Sequence, residues 1–147
     1  MTISIEPARA GDLPSIFTLL QKSSLPQDGL ADHLAATLVA RDGDDIVGSA
    51  ALEMYGESAL LRSVAVDAAL RGQGLGRRLA RAALDLARRR GAGAVYLLTE
   101  TAADFFPRFG FQAIPRAEVP PAVQTSVEFT SACPASALAM RVRLNKE

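Results

Sequence analysis

The segment from Val64 to Gly76 constrains this chain more than any other. Val64-Ala-Val66 reads as the end of a buried strand, residues 67–70 make a short turn, and Arg71-Gly-Gln-Gly-Leu-Gly76 opens into a long helical pattern. Glycine takes backbone conformations closed to other residues and lets a ligand approach the main chain. At a helix start the first N–H groups have no intrahelical acceptor, and the dipole end there is positive. A strand, a glycine turn and a helix N-terminus in succession therefore make a cradle for an anion of the diphosphate type. Arg71, Arg77 and Arg78 add positive charge beside it.

Two other glycine-loop patterns fail. A P-loop ends in Gly-Lys-Ser/Thr, whereas this loop ends Gly76-Arg77-Arg78. The dinucleotide fingerprint Gly-x-Gly-x-x-Gly/Ala is missed by one residue, and the elements before the loop do not resemble the first βαβ unit of that fold. Alone, the glycines suit a plain turn and the arginines a solvated helix face. The surrounding elements decide otherwise.

Residues 3–5 alternate as a short first strand. Asp12 reads as a helix N-cap with Pro14 in the first turn, and Ile16, Leu19 and Leu20 carry a helical stripe to about Ser23. The chain breaks over 25–29, and 30–35 suit a short second helix. Leu38-Val39 and Ile46-Val47 flank Asp42-Gly43 as a hairpin; its second strand runs towards Met54, and residues 60–66 form a central strand. Leu75, Leu79, Ala83 and Leu86 mark a helix reaching Arg90, with Gly91 as its stop. Residues 94–98 read as a buried strand, 101–109 as a short helix ending at Gly110, and 140–144 as the last strand. The order predicts an α/β three-layer sandwich with a mixed sheet, one domain over residues 1–147.

Sixteen basic residues balance sixteen acidic ones in 147, so bulk charge gives no argument for a membrane partner and argues against nucleic acid; neither partner is expected. No apolar run approaches the roughly 18–20 residues of a membrane span, and the N-terminus lacks a signal-peptide pattern. The single cysteine, Cys133, favours a reducing compartment, the cytoplasm. It reads as a packed small residue rather than a nucleophile. His33, the sole histidine, has no partner cluster in the sequence, so no metal is expected.

Arg71-x-x-Gly74-x-Gly76 after Val64-Ala-Val66 resembles the acetyl-CoA signature of the GNAT acetyltransferases. The likeness continues to Phe105-Phe-Pro-Arg-Phe-Gly-Phe111. It implies a GNAT-like fold whose mostly antiparallel sheet is splayed between strands 4 and 5. It also implies acetyl-CoA as co-substrate. Val64, Ala65 and Val66 would then pair with the pantetheine arm, the loop Arg71, Gly72, Gln73, Gly74, Leu75, Gly76 and Arg77 would hold the pyrophosphate, and Phe106 would border the thioester. Amine and thioester need positioning, deprotonation and oxyanion stabilisation, with little covalent chemistry from the protein.

Three family positions depart from the pattern. Phe106 stands where many members carry a tyrosine acid, Thr99 where an asparagine is frequent, and Leu60 near a glutamate used as base. The catalytic residue therefore stays open among Glu53, Ser63, Glu100 and Glu128. Strand alternation places side chains 60, 62 and 64 on one face; the resemblance implies that position 60 faces the acceptor, and so that Arg62 does too, able to grip a carboxylate. The competing reading is an internal ion pair. The loop-rich stretch 118–136 is a candidate lid that brings Glu128 to the acceptor.

Leu61-Arg-Ser-Val-Ala-Val66, Leu97-Leu-Thr-Glu-Thr-Ala-Ala-Asp-Phe-Phe106 and Ser126-Val-Glu-Phe129 with Cys133-Pro134 resemble the second group of arsenic-resistance-associated N-acetyltransferases. This implies a small amine acceptor, amino-acid-like or organoarsenical. One cysteine cannot make a multi-thiolate arsenite site. The missing tyrosine keeps a non-catalytic acyl-CoA sensor in view, and a protein or peptide acetyltransferase would need an open groove. Exposed sheet edges leave a homodimer open.

Overall fold

The computed structural model describes residues 2–144. Among them, β1 (Ile3–Pro7), β2 (Thr37–Asp42), β3 (Asp45–Tyr55), β4 (Ser58–Val66), β5 (Ala94–Thr99), β6 (Gln112–Ile114) and β7 (Leu138–Arg143) form one sheet. Its order is β1-β2-β3-β4-β5-β7-β6. Only β4 and β5 run parallel; the other neighbours are antiparallel.

Helices cover both faces. On one, α2 (Leu75–Arg89) lays Leu75, Leu79, Ala83 and Ala87 against Ala40, Leu52, Leu61 and Val95. On the other, α1 (Leu13–Lys22) packs Ile16, Leu19 and Leu20 with Val39, Ala51 and Ala65. Beside α1, the short α3 (Pro121–Gln124) brings Val123 onto Leu60, Tyr96 and Ala139. The expected α/β three-layer sandwich is the observed architecture, and burial of these apolar faces drives it.

Four local expectations need correction. Asp12 occupies the N-cap position of α1 without capping it. Its carboxylate instead accepts the Arg9 N–H at 2.7 Å and two Arg41 N–H bonds at 3.1 and 2.7 Å. That guanidinium also reaches Glu6 at 2.9 Å, so one arginine ties β1, α1 and β2 together. The expected helix over 101–109 shrinks to one 3-10 turn, Phe106–Phe109, ended by Gly110. Pro107 supplies no N–H and its ring obstructs a preceding helical turn. The hairpin turn sits one residue later than read, because Asp42 pairs with Asp45. Finally, β4 does not alternate throughout: Ser49 pairs with Ala65 but Ala51 with Arg62, so Ser63 and Val64 together oppose Ala50. The extra residue is a bulge, and Ser63 has φ 59°. Leu60 packs on the α3 side, whereas Val64 packs on the α2 side. Residues 60, 62 and 64 therefore do not share a face.

Candidate functional site

Parallel pairing between β4 and β5 covers only Ser58–Leu60 against Ala94–Tyr96. Beyond that the strands separate, and residues 61–66 lose their neighbour on the β5 side. Two clefts meet along this edge, sharing Val64, Ala65, Val66, Arg71, Ala102 and Phe106.

The first, about 510 Å³, lies over the start of α2 and takes in Gly72, Gly74, Gly76, Arg77, Phe105 and Arg108. Gly72 and Gly74 have φ of 82° and 86°, and a Cβ built on either meets nothing within 4 Å. Both need the left-handed region, and both border open space rather than packed side chains. The helix ladder begins with Arg78 N–H donating to Gly74 O at 3.1 Å. Helix geometry thus leaves the N–H groups of Leu75, Gly76 and Arg77 without intrahelical acceptors, facing the cleft end of the dipole. Arg71 anchors the loop by donating from Nε to Val66 O at 3.2 Å. Open amides, a positive helix end and two arginines suit a diphosphate.

The second cleft, about 680 Å³, continues past the bulge, with Arg62, Ser63, Glu100, Glu128 and Cys133 in its wall. Its floor is a buried charged cluster. Arg62 Nη1 donates to Glu53 Oε2 at 2.9 Å, Nη2 to Pro26 O at 3.3 Å and Nε to Ser63 Oγ at 3.1 Å. Nε also lies 3.3 Å from Glu128 Oε2. The Arg62 side chain is 0% exposed, so the internal ion pair is what the chain contains, in place of a guanidinium open to an acceptor.

The two carboxylates differ. Burial pushes Glu53 up, but hydrogen bonds from Ser126, Tyr55 and Arg62 outweigh it and hold its carboxyl below the usual range. Burial also pushes Glu128 up, and the Glu53 charge adds to this; Arg62 opposes both, leaving Glu128 at about 7. A carboxyl poised near neutrality on a cleft wall suits proton transfer. Cys133, half-buried, is raised to about 12 by burial and then by the Glu128 charge, so its thiol stays protonated.

The sequence candidates thus separate. Val64, Ala65, Val66, Arg71, Gly72, Gly74, Leu75, Gly76, Arg77 and Phe106 line the first cleft; Gln73 lies in the same loop, exposed. Ser63, Glu100 and Glu128 reach the second cleft. Glu53, 1% exposed, sits behind Arg62. Three residues outside the candidate list join this cluster. Tyr55 Oη donates to Glu53 Oε1, Ser126 bonds the same carboxylate, and His33 Nε2 lies 3.7 Å from Glu53 Oε1. Tyr55 stands two residues from Glu53 on one strand, and Ser126 two from Glu128; the first spacing is a same-face signal in any strand. His33 carried no such signal. Among the described residues no group of three or more His, Cys, Asp or Glu is placed to hold a metal ion, and no helix is long and apolar enough to cross a membrane.

Residues 6–111 match the model of the acetyltransferase (GNAT) family. No curated protein gives a significant match. Among solved structures, N-acetylglutamate synthase from Neisseria gonorrhoeae, complexed with coenzyme A and N-acetyl-glutamate, has a TM-score of 0.84 at 22% identity. The match covers 99% of this chain and 36% of that one, so the chain spans about a third of that relative's length. Rv2747 from Mycobacterium tuberculosis, also solved with CoA, gives 0.81 at 25% identity, covering 97% and 99% of the two chains. The ribosomal-protein-S18-alanine N-acetyltransferase from Escherichia coli gives 0.75 at 18%, covering 99% and 96%.

Proposed function

The chain belongs to the acetyltransferase (GNAT) family, and we propose that it is an enzyme moving an acetyl group from acetyl-CoA to the primary amine of a small molecule. One observation carries this reading: the unpaired edge of β4 joins the cradle at the start of α2 to the cleft holding Glu128.

The first cleft fits coenzyme A. The amides of Leu75, Gly76 and Arg77, with the Arg71 and Arg77 side chains, would hold the diphosphate, and the free β4 edge at Val64–Val66 offers backbone groups to the pantetheine amides as an added strand would. Phe106, shared by both clefts and 6% exposed, closes the junction with an apolar surface. Acetyl-CoA supplies an activated thioester whose carbonyl the amine attacks. The bulge at Ser63 and Val64 takes their amides out of regular pairing with β3, which makes them candidate donors to the thioester oxygen.

Glu128 takes the proton. An acceptor ammonium loses one proton to Glu128 as its nitrogen becomes nucleophilic. The C–N bond forms, the C–S bond breaks, and the second amine proton leaves to solvent while the thiolate is protonated by water. Overall one proton is released per amide formed. No acid from the protein is required at Phe106, because a thiol is a fairly acidic leaving group.

A small acceptor is favoured by the walls. Ser23, Ser24, Leu25, Pro26 and Asp28 after α1, with Glu128, Cys133, Pro134 and Ala137 from the late stretch, line a second cleft of about 680 Å³, a size that suits a small molecule. The subgroup likeness around Ser126-Val-Glu-Phe129 adds organoarsenical amines to the acceptors worth screening.

The test is thiol release from acetyl-CoA with an amine panel, with product mass gaining one acetyl group. Tight CoA binding without thiol release for any acceptor supports the sensor reading, which Phe106 at the usual tyrosine position favours.

A further inference from the structure

The second cleft has one cation in its acceptor half, and that cation is already neutralised. Arg62 is bonded to Glu53, Glu128, Ser63 and Pro26 O, and its side chain is sealed from solvent. Gly29 helps close it in: a Cβ there would lie 2.7 Å from Val127 Cγ1 and 3.6 Å from Arg62 Nη1. An acceptor carboxylate would reach this guanidinium only by displacing a protein carboxylate or breaking the Pro26 contact. Arg71, the other arginine in the wall, belongs to the cofactor end, donating to Val66 O and lining both clefts.

The signs do not cancel. Arg62 and the ionised Glu53 make a neutral pair, so each Glu128 that ionises leaves one negative charge at the cleft wall. Farther along the wall are the exposed Asp28 and Glu100. Neither enters an ion pair among the described residues. His33 Nε2 approaches Glu53 from behind and is not part of the wall. A cleft of this kind repels a carboxylate-bearing amine and attracts a positively charged one.

We propose that the acceptor is an alkylamine without a carboxylate that carries a second positive charge, a diamine or polyamine, with its reacting ammonium on Glu128 and its distal ammonium towards Asp28 and Glu100. This rests on the transferase reading for the identity of the site, and it rejects the carboxylate clamp expected of Arg62. It also makes binding pH-linked. Glu128 titrates near 7 in the free cleft, while alkylammonium groups stay charged far above that. Below neutrality Glu128 must lose its proton before pairing, so diamine affinity rises by about tenfold from pH 6 to pH 8.

The decisive measurement is calorimetric titration of the CoA-bound protein with 1,4-diaminobutane, butylamine and glutamate at pH 6 and pH 8. We expect saturable diamine binding at least tenfold tighter than glutamate and strengthening with pH. Glu128→Gln should weaken it and flatten the pH response while CoA affinity is kept. Asp28→Asn combined with Glu100→Gln, at two exposed sites, should weaken diaminobutane and spare butylamine. Glutamate binding as tightly as the diamine, no binding of any amine, or a pH-independent diamine affinity would overturn the inference. Diamine binding with these marks but without thiol release would keep the cleft's preference for a diamine and overturn the diamine as acceptor, together with the transferase reading.

Discussion

Arg62 Nη1 lies 2.9 Å from Glu53 Oε2, a cation and an anion from adjacent strands, each with at most 1% of its side chain exposed. Breaking one side of a buried ion pair leaves an uncompensated charge in a low-dielectric site. Here Glu128 shares the same guanidinium, so removing the arginine strands two carboxylates.

Arg62→Met should therefore cost about 3–5 kcal/mol of folding stability, read by urea denaturation with an unchanged m-value. A loss under about 1 kcal/mol would mean that water reaches the cluster. The variant is expected to act on stability before it acts on any acceptor KM.

Gly74 tests the cradle. Its φ of 86° and open surroundings put any side chain into the first cleft. Gly74→Glu adds a negative charge where a diphosphate would sit, and CoA affinity by calorimetry should fall more than about a hundredfold. Gly74→Ala, which keeps charge constant, should cost about 1–2 kcal/mol of stability through left-handed strain. CoA binding that survives Gly74→Glu in a folded protein would remove the pyrophosphate assignment.

Glu128 predicts opposite pH trends for activity and stability. As a base it must be ionised, so kcat/KM should rise with pH through about 7. Glu128→Gln should lose that limb and about 10²–10⁴ in rate. For stability, the folded carboxyl binds its proton more tightly than the unfolded one. Between about pH 4.5 and 7 the native state therefore holds more protons, and this group's contribution falls as pH rises. Glu128→Gln should accordingly gain stability relative to the parent from pH 5 to pH 8, measured by denaturation at each pH.

Cys133 borders the same carboxylate with its thiol raised to about 12. A protonated thiol is a poor nucleophile. Iodoacetamide should label it slowly in the native protein, and Cys133→Ala, which removes one side-chain atom that takes no part in the transfer, should keep kcat within about threefold of the parent. Accumulation of an acetylated protein, followed by intact mass, would contradict direct transfer.

The local patterns of this sequence determined the glycine loop, the amphipathic α2, the α1 stripe and the hairpin of β2 and β3, because each rests on a period of a few residues or on a backbone angle only glycine takes readily. The late stretch 118–136 reads from sequence as loop-rich chain near the acceptor; the structure puts α3 and a helical turn over Glu128–Ala132 in it, and Glu128 and Cys133 reach that cleft. Tertiary structure alone decided how charge is arranged there. Residues 33, 53, 62 and 128 meet only after β3, β4 and the late stretch are packed, so no spacing announces which carboxylates claim Arg62. The bulge at Ser63 is of the same kind: one extra residue turns Val64 to the α2 side, and pairing across β3 fixes it. Periodicity is a property of neighbours along the chain, whereas neutralisation of a buried charge depends on whatever the fold brings within about 4 Å of it.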